Sequence, residues 1–332
     1  MTKVNGIGDR FYIGGYDLSG DVSAVDTIKG GPKPLDVTVI SDVAYERLGG
    51  LFDGTMDFSG FFNQATGQQH TALSTLFSST ADTTCSYARG TAVGSPSACM
   101  RARQVSYDWS RAQDGLLTFK VSCLSDGYGL EWCQQLTAGK ITDALADTTY
   151  ATIDFGITGF AAVNIQSTSN ANPSVITTAA PYGLVVGDSV HIAGAADGVL
   201  NGDWTVLAPS FGASTFTIGV AGTGGGAFGT TVKTSTNYGL SGYLQVFAMT
   251  GVGGNTVSCT LQDSADGVTY VDITNGAFAN VSYASPIHST QRIQTIATRI
   301  VRRYVKLHVV QTSTDATIFV AFNRYTVIPS IH

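Results

Sequence analysis

The stretch Gly242–Ile273, GYLQVFAMTGVGGNTVSCTLQDSADGVTYVDI, decides the fold class. Within it Val257, Cys259 and Leu261 face one way and Ser258, Thr260 and Gln262 the other, the period of two that marks a strand with one buried face. Asp263-Ser264-Ala265-Asp266-Gly267 then forms a turn leading into a strand from Val268 to Ile273. The same alternation returns at Val301, Val305, Leu307 and Val309, and again at Ile318, Val320 and Phe322. Strands this regular predict a β-sandwich over Tyr238 to Ile331.

Upstream the signals are mixed. Met56, Phe58 and Phe62 share a face opposite Asp57 and Ser59, in a strand starting at Gly54, and Leu117, Phe119, Val121 and Cys123 alternate with Thr118, Lys120 and Ser122. Arg10–Ile13 and Leu35–Ile40 read as strands joined by a long loop, Gly14–Pro34, that contains Gly30-Gly31-Pro32. Ser41-Asp42 caps a short helix, Val43–Leu48, which stops at Gly49-Gly50. Thr71–Phe77 places Ala72, Leu73, Leu76 and Phe77 at helical spacing.

Between these parts, residues 168–236 are almost free of Lys, Arg and Glu. Ser174–Thr178, Ser189–Ala193, Trp204–Leu207 and Thr215–Ile218 read as short strands, with turns at Gly187-Asp188, Asp197-Gly198 and Asn201-Gly202. The glycine run Gly222–Gly226 reads as a linker. The expected organisation is mainly β: tandem β-sandwich domains at 1–165 and 237–332, short helices, and a small inserted β-domain at 168–236. The outer domains share a loose pattern of strand, Asp-Gly turn (Asp53-Gly54, Asp266-Gly267), aromatic strand and long alternating strand, a weak sign of duplication.

Composition narrows the function. Charged residues are 13% of 332, about half the usual share, and low charge is a property of surfaces that pack on protein. Net charge is −6 and the pI about 5.2, which argues against tight DNA binding, since phosphate neutralisation needs a basic face. No secretory signal and no membrane-length apolar segment is visible. The five cysteines are widely spaced; Cys123 and Cys259 read as buried thiols, and Cys85 and Cys99 could pair, although a reducing cytoplasm disfavours it.

Signs of catalysis are few. No GxSxG elbow is present, and the histidines His70, His191, His288, His308 and His332 show no HxxxH or HExxH spacing. His308 reads as a solvated surface residue. The carboxylates Asp53 with Asp57, and Asp263 with Asp266, sit in ordinary turn contexts, and the DxDxDG ladder of a calcium loop is missing. The glycine run lacks the GK[ST] ending of a phosphate loop, and Lys233 is badly placed for one. The basic cluster Arg299, Arg302, Arg303 and Lys306 is split between strand faces and reads as a solvated face or an intersubunit ion pair. No enzyme activity, cofactor or metal is expected.

The run Leu35–Asn63, LDVTVISDVAYERLGGLFDGTMDFSGFFN, with HTALSTL at His70–Leu76, resembles the major tail tube proteins of siphophages. The run from Gly242 to Ile273, continuing to RYVKLHVV at Arg303–Val310 and ATIFVAFNRY at Ala316–Tyr325, resembles the distal half of actinobacteriophage-type tail tube proteins. GLVVGDSVHIAGAADGVLNGDWTV at Gly183–Val206 resembles a small β-domain that decorates phage structural proteins. The resemblance implies a virion tail protein, assembled in the host cytoplasm, whose copies form stacked rings around a channel for DNA, with neighbouring strands joined into an inner barrel. It implies six chains per ring, or three if both outer segments are tube folds. The loop from Gly14 to Pro34, with Asp17, Asp21, Asp26, Lys29 and Lys33, would dock on the adjacent ring. Asp57, Arg302, Arg303 and Lys306 would supply lumen or intersubunit charge, with acidic residues at the lumen repelling DNA. Tape measure, tail terminator and distal tail proteins are the implied partners.

Other classes remain open on the residues alone. A receptor- or carbohydrate-binding tail module would use Tyr238, Tyr243 and Tyr270 in an aromatic groove, a capsid decoration protein would bind heads, and a glycan-cleaving tail enzyme would need an essential carboxylate pair.

Overall fold

The computed structural model describes residues 6–41, 43–76, 83–144, 147–155, 162–182, 184, 186–223, 228–235, 238–264, 267–283, 287–295, 301–312 and 315–326. Asp42, Phe77, Gly224–Gly226, Ala265, Asp266, Arg299 and His332, all singled out above, lie outside them.

Before the middle segment the strands are β1 (Arg10–Ile13), β2 (Tyr16–Asp17), β3 (Val22–Asp36), β4 (Arg47–Phe61), β5 (Thr83–Ala88), β6 (Pro96–Arg111), β7 (Leu117–Ser125), β8 (Glu131–Gln135), β9 (Ile141–Asp143), β10 (Asp147–Thr149) and β11 (Ile153–Asp154). The middle segment holds β12 (Val163–Thr168), β13 (Ser174–Thr178), β14 (Ser189–Ala193), β15 (Gly202–Thr205), β16 (Leu207–Gly212), β17 (Thr215–Ile218) and β18 (Thr230–Ser235). After it come β19 (Tyr238–Thr250), β20 (Thr256–Ser264), β21 (Val271–Ala277), β22 (Val281–Ser282), β23 (Ser289–Gln294), β24 (Tyr304–Gln311) and β25 (Asp315–Thr326). Among the described residues the α-helix α1 (Gln69–Leu76) lies where helical spacing predicts it, and a single 3-10 turn spans Gly198–Leu200.

The chain is mainly β, in three antiparallel sheets. The largest runs β2-β1-β5-β6-β8-β25-β19-β23, with β7, β4 and β3 branching from β6 and β9 from β25. It joins the two ends of the chain, because β25 pairs with β8 (Ala321↔Gln135) and with β9 (Ile318↔Ile141). The physical reason is that β19 and β25 are apolar on both faces, so each face needs a cover. Leu244, Val246, Ile318 and Val320 pack against Cys259, Leu261, Leu307 and Val309 of a six-stranded sheet built on β24 and β20, which gives the expected sandwich. On the opposite face Tyr243, Phe247 and Phe319 pack on Tyr12, Cys99 and Cys133. The large sheet therefore curls towards closure, and the backbone amide of Thr84 in β5 donates to Thr290 Oγ1 in β23 at 3.2 Å.

The middle strands form a seven-stranded sheet of their own, β15-β14-β18-β12-β13-β17-β16, around Ile176, Val190, Ile192 and Phe216. Three of its four expected strands match the observed bounds. The fourth, Trp204–Leu207, is divided at the buried Val206.

Two expectations in the first segment are corrected. The presumed loop Gly14–Pro34 contains β2 and most of β3, and the presumed helix Val43–Leu48 is absent. β3 and β4 form one long hairpin, paired from Val22↔Gly60 to Asp36↔Arg47. The ladder satisfies the backbone more completely than a single helical turn could, so a non-local pairing overrides local capping signals. The strand expected over Leu35–Ile40 stops at Asp36, whose carboxylate accepts from the amide and hydroxyl of Thr38 at 3.0 and 2.6 Å and turns the chain. Asp53-Gly54, expected as a turn, lies inside β4. Gly30 and Gly54 are required by close packing: a Cβ would fall 2.5 Å from Leu130 Cβ at Gly30, and 2.7 Å from the Leu130 amide nitrogen at Gly54.

All five cysteines are free and buried. Cys85 faces Phe58 and Met100, whereas Cys99 faces Tyr12 and Tyr243 across the sheet, so these two thiols do not meet.

Candidate functional site

β3, β4, β7 and the distal half of β6 make a four-stranded antiparallel blade projecting from the large sheet. One face is covered. Met56, Phe58, Phe119, Val121 and Cys123 are buried there, and α1 seals them with Ala72 and Leu73. The helix is held in place by Asp21, whose carboxylate accepts from the backbone amide of Gln69 at 3.0 Å and from Asn63 Nδ2 at 2.9 Å.

The other face is open and polar, and the registers set it out in rows. Ala24, Ser59, Lys120 and Asp108 form one row, Thr27, Asp57, Ser122 and Ser106 the next, and Lys29, Thr55, Leu124 and Arg103 the third. Asp57 accepts from the Ser122 hydroxyl at 2.6 Å, and Arg103 pairs with Asp126 at 2.7 Å. Among the described residues both edges of the blade are unpaired: β3 bonds only β4, and beyond Ala102 β6 bonds only β7.

Past Gly30 and Gly54 the hairpin continues as an arm beyond the blade. It carries Val39, Ile40, Val43, Tyr45, Leu51 and Phe52 exposed to solvent, with Ile40 and Val43 fully so. Together these side chains give the arm an uncovered apolar surface.

The residues singled out in the sequence are distributed unevenly over this site. Asp26, Lys29 and Lys33 are exposed on β3, and Asp57 lies at the centre of the open face. Asp17 and Asp21 are fixed within the protomer. Asp17 forms an ion pair with Lys140 and accepts from Ser19; partial burial would raise its pKa, but the Lys140 and Ser19 hydrogen bonds hold it below the usual carboxylate value. The described residues of the basic cluster, Arg302, Arg303 and Lys306, belong to the segment around β24, outside the blade, and have partners within the protomer. Arg302 binds the fully buried Asp263 at 2.7 Å and reaches Asp203 of the middle sheet at 3.3 Å. Arg303 makes a bidentate pair with Asp154 at 2.6 and 2.7 Å, and Lys306 sits 3.9 Å from the centroid of the Tyr270 ring.

The chemistry-bearing candidates stay dispersed. Asp53 and Asp57 are four residues apart on one strand, about 13 Å by strand rise, farther than the carboxyl pairs of glycosidases. His308 is not simply solvated: its Nε2 lies 2.8 Å from Asp147. No metal-holding group of side chains occurs among the described residues.

Sequence reasoning missed a buried network at the mouth of the curled sheet. Glu131, in β8, receives Ser241 Oγ at 2.8 Å, the Tyr243 hydroxyl and the Arg292 guanidinium, which stacks 3.6 Å from the Tyr128 ring centroid. Burial and the adjacent carboxylate push the Tyr243 hydroxyl far above its ordinary pKa. The one available signal was rarity, because Glu131 and Glu46 are the only glutamates in the chain.

No family model matches the chain, and no curated protein matches it. Among solved structures it is similar to a chain of the virion of a native gene transfer agent particle, at 16% identity and a TM-score of 0.33, over 39% of this chain and 98% of that one. It is similar to a chain of the tail of an empty gene transfer agent particle with C6 symmetry, at 16% and 0.32 over the same shares. It is also similar to the Dit protein (gp 19.1) of phage SPP1, described as a paradigm of the hub adsorption apparatus in phages infecting Gram-positive bacteria, at 9% and 0.28, over 97% of this chain and 100% of that one.

Proposed function

We propose that the protein is a structural subunit of a bacteriophage tail, that its copies join side by side into rings, and that the rings stack into a tube through which DNA passes. The observation that carries this reading is the blade, with two edges unpaired among the described residues and one uncovered polar face. Its outermost strands, β3 and β6, run in opposite directions, because the four strands alternate. A second copy related by rotation therefore sets its β3 antiparallel beside the β6 of the first. Such head-to-tail contact closes into a ring when the rotation closes, and closure removes the exposed edges. The uncovered face would then line the channel, with α1 and the core outside it. The resemblance of Leu35–Asn63 to tail tube proteins supports the same assignment.

One such blade per chain favours six chains in a ring. The arm would reach the adjacent ring, with its apolar residues as the contact, in the place first assigned to a loop. The channel face is charge-balanced: Asp57 and Asp108 stand against Lys29 and Lys120, and Arg103 is paired with Asp126. In this reading DNA moves past small hydroxyls and matched charges, not past the acidic wall that the resemblance implies.

Negative-stain electron microscopy over a range of protein and salt concentrations tests the proposal. Annuli or tubes with a central channel and six-fold top views are expected. Monodisperse particles without a channel in every condition would overturn it in favour of a receptor-binding or decoration module.

A further inference from the structure

The joint between copies has a register that the blade itself specifies. We infer that Asp108 at the β6 edge of one copy pairs with Lys29 at the β3 edge of the next; this rests on the ring reading above.

Strands in a closed barrel tilt by about 35–45° from its axis, so a sheet cannot close level with its start. Four strands at about 4.8 Å spacing make a blade about 19 Å wide, which over that range of tilt accumulates a stagger of about 13–19 Å, or four to six residues. Only an even number of ladder steps keeps buried faces on the buried side. The stagger is thus four or six steps along the ladder, and six steps from Ser59 end at Asp53, whose partner on β3 is Gly31, with no side chain to meet Asp108.

Without stagger, Asp108 is level with Ala24, through Lys120 and Ser59. Four steps towards the start of the chain would pass the beginning of β3 at Val22 and leave Asp108 unpaired. Four steps the other way run from Ser59 to Thr55 on β4, and Thr55 is paired with Lys29. Asp108 then meets Lys29 on the open face, opposite charges at directly facing positions. Both side chains belong to exposed residues.

The buried face agrees with the same shift. Trp109, half-exposed in the protomer, moves from the level of Val22 to that of Ile28, which is partly buried at the rim of the core. Tyr107 moves to the level of Gly30, beside Leu130, which packs over that glycine. Pro32 and Pro34 lack the amide hydrogen for further pairing and end the joint before the arm departs. Without the stagger, Arg103 would face Lys29, a like-charge contact, across the same joint.

Charge reversal tests the register. Asp108→Lys and Lys29→Asp should each raise the protein concentration needed for assembly about tenfold, as loss of a close interfacial charge pair implies. The double reversal should restore assembly to near that of the unaltered protein. Melting temperatures of the unassembled variants control for folding, since both sites are exposed. As a second readout, Asp108→Cys with Lys29→Cys in one chain should yield a ladder of covalent oligomers with a short bismaleimide, the native thiols being buried. If the unaltered protein forms rings but single reversals leave assembly unchanged, or the double variant fails to recover, the register is wrong while the ring reading stands. If the unaltered protein forms no rings, both fall.

Discussion

The Arg292 guanidinium holds the Glu131 carboxylate from two sides, Nε to Oε2 at 2.8 Å and Nη2 to Oε1 at 2.9 Å, across 161 residues of sequence. The pair ties β8 of the first segment to β23 of the last, beside strands β19 and β25 that both segments share. It is one reason the two ends of the chain form a common sheet and not two separate ones.

Glu131→Gln should cost about 3–5 kcal/mol, because it leaves the Arg292 charge buried without its partner. Glu131→Gln combined with Arg292→Met should recover part of that loss. Urea denaturation of both variants checks the claim, and equal stability of the two would refute it.

Gly54→Ala should destabilise the protein by about 1–3 kcal/mol, since the new methyl would overlap Leu130 where the arm leaves the blade. Limited proteolysis is expected to cut the arm faster in this variant while the sandwich stays intact.

Asp17 has a depressed pKa in the folded state, through Lys140 and Ser19, so its contribution to stability is complete above the unfolded carboxylate value near about pH 4. That contribution disappears as pH falls through the folded value. Asp17→Asn should therefore lower stability at neutral pH and flatten the acid limb of a denaturant-midpoint profile between pH 2 and pH 6. An unchanged acid limb would show that the ion pair does not contribute.

The cysteines should resist a thiol reagent in the native state and react fully in denaturant. Burial, reinforced by Asp143, pushes the Cys259 thiol up to about 12, leaving almost no thiolate near neutrality. Rapid reaction of any native thiol would contradict the burial of all five.

Replacing residues 163–235 with a short flexible linker should leave the other two sheets folded, because the middle strands form backbone ladders only with one another and hold their own core. The Arg302–Asp203 contact is lost, but Arg302 keeps Asp263. Circular dichroism and electron microscopy would show whether folding and assembly survive; collapse of both would make the middle segment integral to the body.

The sequence by itself determined the strands whose two faces differ. Val257, Cys259 and Leu261, or Phe119, Val121 and Cys123, alternate because one side of each strand meets a core and the other meets water, and that contrast is written residue by residue. Helix α1 was legible for the same reason, as a local periodicity. The tertiary structure decided what depends on partners distant in the chain. The β3–β4 hairpin was hidden because its arm is apolar on exposed positions and holds Gly30, Gly31, Pro32 and Pro34, which locally spell a loop. Only the packing of Leu130 explains the glycines at 30 and 54. The open blade, the shared sheet and the Glu131–Arg292 pair likewise rest on registers between segments up to 188 residues apart, as between Gln134 and Phe322, and no local spacing encodes a register. Side-chain period fixes which face of a strand is buried; which strand lies beside it is settled only when both faces of β19 and β25 must be covered at once.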